Sequence, residues 1–141
     1  MPSRRDALTG MAGLAMLGGV VAPAHAAGPS PTVVVEQTLL KALPGKADAL
    51  GQFLAANWLV MDQQALDQGL FTGFWLARSA PGFEAWDYAM QVGYPTAQGY
   101  DDPATAKGFE AIRKAHKTVL IEGVGSQRLD LVAVRGFAAQ V

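Results

Sequence analysis

The stretch Phe71-Thr72-Gly73-Phe74-Trp75-Leu76-Ala77-Arg78 reads as a β-strand that is apolar on both sides. Alternation puts Phe71 and Trp75 on one face and Phe74 and Leu76 on the other. Ser79-Ala80-Pro81-Gly82 turns the chain after it, and a further strand follows from about Trp86 to Val92. On its other side Gly69 closes a helix from Lys46 to about Gln68, where Leu50, Phe53, Leu54, Trp58, Met61 and Ala65 recur at helical spacing. Before that helix, Thr32 to Leu43 is a β-branched, apolar strand stopped by Pro44-Gly45. Downstream, Asp102-Pro103 combines an N-cap with a proline suited to the first helical position, predicting a helix from Pro103 to about Leu120. The last strand is Gln127 to Arg135. The order β-α-β-β-α-β predicts an α+β fold, a four-stranded antiparallel sheet with two helices on one face. The first strand also splits its apolar residues, Val33 and Val35 against Val34 and Leu40. A sheet apolar on both faces must bury both, so a second copy laid sheet to sheet is expected.

Composition narrows the function. Half of the 141 residues are hydrophobic and 16% are charged, which excludes a disordered chain. From Ala27 onward there are nine Lys/Arg against eleven Asp/Glu, a formal charge of −2, so no nucleic-acid partner is expected. Cysteine is absent, which excludes disulfides, thiol catalysis and cysteine metal sites. His116 is the one histidine beyond the leader, so no metal site is expected. The carboxylates Glu84, Asp87, Asp101, Asp102 and Glu122 fall in loops or at element ends without pairing, and read as solvated charge. No glycine loop has the form that cradles phosphate.

Two polar residues stand out on the helices. Projected at 100° per residue, the second helix gathers Phe109, Ile112, His116, Val119 and Leu120 into one stripe. The first gathers Leu50, Phe53, Leu54, Val60 and Met61, with Asn57 near the centre and Gln64 beside it. Each helix therefore aims a polar group at the sheet, and His116 and Asn57 should bond to each other, to backbone, to water or to a ligand. They are satisfied structural groups or candidate catalytic residues, with exposure at a frayed helix end the remaining reading for His116. Trp75, Trp86, Tyr88, Tyr94 and Tyr100 cluster in the second and third strands and the following loop, and are the candidate ligand-binding residues.

With Pro44-Gly45-Lys46 opening the first helix, Gly69 and Gly73 preceding Trp75-Leu76, and Trp86-Asp87-Tyr88 opening the third strand, the chain resembles the dimeric α+β barrel superfamily of antibiotic-biosynthesis monooxygenase-like and stress-responsive proteins. The resemblance spans roughly Thr32 to Arg135. It implies a ferredoxin-like domain dimerising into a barrel, whose cavity binds, or binds and modifies, a small apolar or aromatic molecule. No cofactor is the first expectation. Alternatives carried by the resemblance are a cofactor-independent monooxygenase and a haem-binding or haem-degrading protein with His116 as axial ligand. The catalytic Asn of haem-degrading members lies on the first strand, where this chain has Glu36 and Gln37. A structural or interaction protein without a ligand completes the alternatives.

The first 26 residues read as a signal peptide. Ser3-Arg4-Arg5-Asp6-Ala7-Leu8 resembles a twin-arginine start, an apolar run reaches Ala22, and Ala24-His25-Ala26 is a small-x-small cleavage site. The general secretion route is the alternative. Residues 27–31 are a flexible lead-in to a domain spanning 32–141, placed in the periplasm or secreted, with no membrane insertion after cleavage. Protein recovered from the periplasm is expected to begin at Ala27, as terminal sequencing or intact mass will show; a Met1 terminus there overturns the export reading.

Overall fold

The computed structural model describes residues 24–28 and 30–135, so the leader up to residue 23 and the tail from residue 136 lie outside the described residues. The strands are β1 (Ala24–Ala27), β2 (Val34–Ala42), β3 (Gly73–Arg78), β4 (Tyr88–Tyr94) and β5 (Ser126–Arg135). Helix α1 runs through Ala47–Phe53, a wider π turn over Leu54–Trp58, and Leu59–Asp67. A 3₁₀ turn at Gly99–Asp101 leads into α2 (Pro103–Ala115). The fold is α+β: an antiparallel sheet in the order β1-β3-β4-β2-β5, with two helices on one face. No helix among the described residues is long and apolar enough to cross a membrane.

Local chemistry sets the element ends. Gly69, at φ 77°, closes α1: its N–H bonds the Leu66 carbonyl at 3.1 Å and the Leu70 N–H bonds that of Ala65 at 2.9 Å. This is a Schellman cap, which requires a left-handed residue and so favours glycine. At the start of α2, Asp102 Oδ2 accepts from the Thr105 N–H at 3.1 Å. That cap satisfies one of the helix's orphan donors and is worth about 1 kcal/mol.

Register divides the sheet cleanly. Leu40↔Tyr88, Glu36↔Val92 and Val34↔Tyr94 pair β2 with β4, and Phe74↔Val92 and Leu76↔Met90 pair β3 with β4. All these residues face the helices. Leu40, Phe74, Leu76, Tyr88 and Met90 pack with Leu50, Leu54 and Leu59 of α1, while Val34, Phe71 and Tyr94 pack with Met61, Ala65 and Ile112. The other face carries Val35, Leu39, Trp75 and Ala77, all half-buried, and a Gln91 Nε2 to Gln37 Oε1 hydrogen bond of 2.8 Å.

Two expectations change. The sheet has a fifth strand at its edge, because residues 24–27, read from sequence as the leader's end and the lead-in, pair with β3 from Ala24↔Leu76 to Ala27↔Gly73. Helix α2 stops at Ala115 rather than near Leu120: His116 has ψ 126°, and Val119 and Leu120 are 47% and 86% exposed. The His116–Val119–Leu120 part of the predicted stripe therefore does not exist. The backbone of Val119 is held instead by the side chain of Asn57 (Val119 N–H to Oδ1, 2.7 Å; Nδ2 to Val119 O, 2.9 Å), which substitutes for helical pairing.

Gly51 shows how closely α1 lies on the sheet. A Cβ there would run into the Tyr88 hydroxyl and approach Cζ at 2.9 Å, while that hydroxyl donates to the Ala47 carbonyl at 2.9 Å. Propensity alone would have Gly51→Ala stabilise α1 by about 1 kcal/mol. The overlap reverses the sign, and we expect a net loss of about 1–3 kcal/mol in urea unfolding. Adding Tyr88→Phe should recover part of it; an unchanged or raised midpoint for Gly51→Ala alone would disprove this packing.

Candidate functional site

The π turn in α1 shapes what its second half presents to the sheet. Widening one turn delays the helical phase by about one residue, roughly 100°. Beyond it Val60 (42% exposed) and Gln64 turn outward, although constant helical spacing placed both with the apolar stripe. Met61 and Ala65 stay inward as expected, and Asp62 joins them, only 5% exposed.

These side chains form the helix wall of a cavity of about 440 Å³. Trp58, Met61 and Asp62 come from α1, Glu36 and Thr38 from β2, and Met90, Val92 and Tyr94 from β4. Phe71, the Tyr100–Asp101 turn, and Phe109 and Arg113 of α2 complete it. Aromatic contacts brace one side: Phe71 stacks on Phe109 at 5.1 Å and meets Tyr94 edge-on at 5.1 Å, and Tyr100 meets Phe109 edge-on at 5.9 Å. Exposed Asp101 and Arg113 stand at the mouth. The cavity lies between helices and sheet, not on the open sheet face.

The polar groups of the cavity are unevenly satisfied. Glu36 Oε2 accepts from the Tyr100 N–H at 3.4 Å. Burial, reinforced by the Glu36 and Asp62 carboxylates, pushes the Tyr94 hydroxyl above its usual range. Arg113 Nη2 donates to the Tyr100 hydroxyl at 3.3 Å, and its guanidinium lies 5.9 Å from the Phe109 ring centre. The Asp62 carboxyl has no hydrogen bond or ion pair among the described residues, and burial pushes it up to about 8. A carboxylate in apolar surroundings with no donor is costly, so the group takes a proton.

Of the aromatic residues singled out from sequence, Tyr94 and Tyr100 meet in this cavity. Trp75 lies on the open sheet face, Trp86 packs edge-on against Phe83 in the loop before β4, and Tyr88 is in the core under α1 with Arg78 over its ring. His116 and Asn57 come together, but as a structural clamp. His116 Nε2 donates to Asn57 Oδ1 at 2.9 Å, and Asn57 Nδ2 donates to the Phe53 and Val119 carbonyls at 3.0 and 2.9 Å. They border a second groove of about 380 Å³, which shares Trp58, Met61 and Arg113 with the cavity. With Nε2 held by Asn57 and the ring outside the aromatic cavity, His116 does not fit the axial position of a haem in that cavity. The residues that sequence reasoning missed are Asp62 and Glu36. Asp62 follows Trp58 by four residues and Leu54 by eight, yet constant helical spacing carries it toward the edge of the apolar stripe, so no local signal marked it.

A raised Asp62 makes stability depend on pH. Between the unfolded value near 3.8 and the folded value of about 8, the native state holds a proton that the unfolded chain has lost. Stability from this group is complete below the lower value and is lost as pH rises through the upper one, with a slope approaching ~1.4 kcal/mol per unit. Asp62→Asn should flatten this part of the profile between pH 5 and 8 and raise stability at pH 8, measured by urea unfolding; a variant that keeps the slope would place its origin elsewhere.

No protein-family model matches the chain, and neither does any curated protein or any solved structure.

Proposed function

We propose that this chain is an exported, ferredoxin-like α+β domain that dimerises sheet to sheet and binds a small apolar or aromatic molecule beneath its helices. The observation that carries the binding reading is the cavity of about 440 Å³, walled by Trp58, Met61, Phe71, Met90, Val92, Tyr94 and Phe109. Its size falls in the range of small-molecule sites, and a few polar groups set in an apolar wall are the usual means of orienting a ligand. Support for the dimer comes from the half-buried apolar residues Val35, Leu39, Trp75 and Ala77 on the sheet face opposite the helices. Gln37 and Gln91 satisfy one another there, which lowers the cost of covering them.

Binding and assembly involve opposite faces of the sheet and can be tested separately. One- and two-ring aromatics titrated calorimetrically into the protein should bind. Val92→Phe, which adds bulk at the cavity wall, should weaken binding by about tenfold or more, equivalent to ~1.4 kcal/mol. Trp75→Asp should leave that affinity in place and shift the mass in light scattering from dimer to monomer. Absence of any binding to the wild type at millimolar aromatic ligand would refute the binding reading, and a monomeric wild type would refute the assembly.

A further inference from the structure

We propose that the cavity selects aromatic amines, holding the molecule as a cation with its ammonium group on the Asp62 carboxylate. This rests on the small-molecule reading above and adds the ligand's charge and the residue that reads it. Asp62 is 95% removed from solvent, lines the cavity, and has no donor among the described residues. The chain's own nearby cation does not supply one: Arg113 is exposed at the mouth and engaged with Tyr100 and Phe109. What Asp62 lacks is an N–H donor with a positive charge, delivered on an apolar body that can pass the aromatic wall.

The surroundings favour the same sign. The titratable groups that line the cavity with Asp62 are Glu36 on β2, Tyr94 on β4, Tyr100 and Asp101 on the 3₁₀ turn, and Arg113 on α2. Besides Asp62, two carboxyls stand against one guanidinium, a balance that favours a cation over an anion. Trp58 and Tyr94 add aromatic rings to the lining, and a ring face turned to a cation attracts it through its negative quadrupole. A neutral aromatic would fill the same space without the ion pair.

Proton release follows from this arrangement. In the empty cavity burial holds the Asp62 carboxyl near 8, so it is mostly protonated at neutral pH. An ammonium group beside it favours the carboxylate, and the displaced proton leaves to solvent. An alkylamine stays charged well above this range. Affinity should therefore rise by about tenfold per unit from pH 6 toward 8 and level off above.

The test compares three indoles that differ in the terminal group: tryptamine, tryptophol and indole-3-propionate. Calorimetry on the full-length chain, in buffers of different ionisation enthalpy, should show tryptamine binding at least about tenfold tighter than tryptophol at pH 8. At pH 7 it should release about one proton per molecule bound. Indole-3-propionate should bind most weakly. In Asp62→Asn, tryptophol affinity should persist, which shows that the site is folded, while the amine preference and proton release disappear. Equal binding of tryptamine and tryptophol to the wild type, or a preference that survives Asp62→Asn, overturns the amine proposal and leaves the small-molecule reading standing. Failure of all three indoles and of the neutral aromatics above overturns both.

Discussion

One side-chain amide ties together parts of the chain that are 62 residues apart. Asn57, 1% exposed, donates to Phe53 within its own helix and to Val119 beyond α2, and accepts from Val119 and His116. A buried amide with unfilled valences would be costly, and here each of its atoms has at least one partner. The amide offers the 116–119 segment a backbone-like donor and acceptor. That segment therefore leaves α2 extended and passes along α1 toward β5. Asn57 also lies within the π turn, so the residue that ends one helix sits where the other changes phase.

The cavity depends on that change of phase. Had α1 continued regularly, Val60 and Gln64 would belong to its inner stripe and Asp62 would lie at the border of the solvated face. The widened turn instead brings an acid into the core, against the general preference for apolar residues there. The molecule accepts a stability cost at Asp62 in neutral solution and gains a polar point inside an aromatic enclosure. Local irregularity at a site where chemistry needs a special direction is a recurring use of π turns.

Much of the fold could be read from residues with strong local signals. Asp102-Pro103 marked the start of α2 and Gly69 the end of α1, because a cap and a left-handed residue each act within a few positions. Alternation in β2, and Phe74 and Leu76 in β3, identified residues that share a face; Phe71, expected on the face of Trp75, precedes β3 and packs under the helices instead. The end of α2 could not be read, since the partner that removes Val119 from the helix is Asn57, far away in sequence. Tyr94 and Tyr100 were legible as aromatic neighbours of the third strand and its loop. Asp62 was not, because a projection with a constant angle per residue cannot contain a π turn. Glu36 entered the reading only as a mismatch with a family pattern, and its link to the 3₁₀ turn depends on tertiary contact alone.

Strand β1 brings a conflict of timing to the export reading. Ala24 to Ala26 both carry the small-x-small cleavage signal and occupy the outer edge of β3. A protease that reads an extended chain must have those residues free, and the sheet must have them paired, so the two uses exclude each other at any moment. Cutting after Ala26 keeps the Ala27↔Gly73 pair and the 2.8 Å bond from the Gly28 N–H to the Thr72 carbonyl. It bares the backbone of β3 beside Phe74 and Leu76. If the chain is exported and cut there, the uncut form is the one with a guarded edge, and cleavage opens the amides and carbonyls of β3 to another strand.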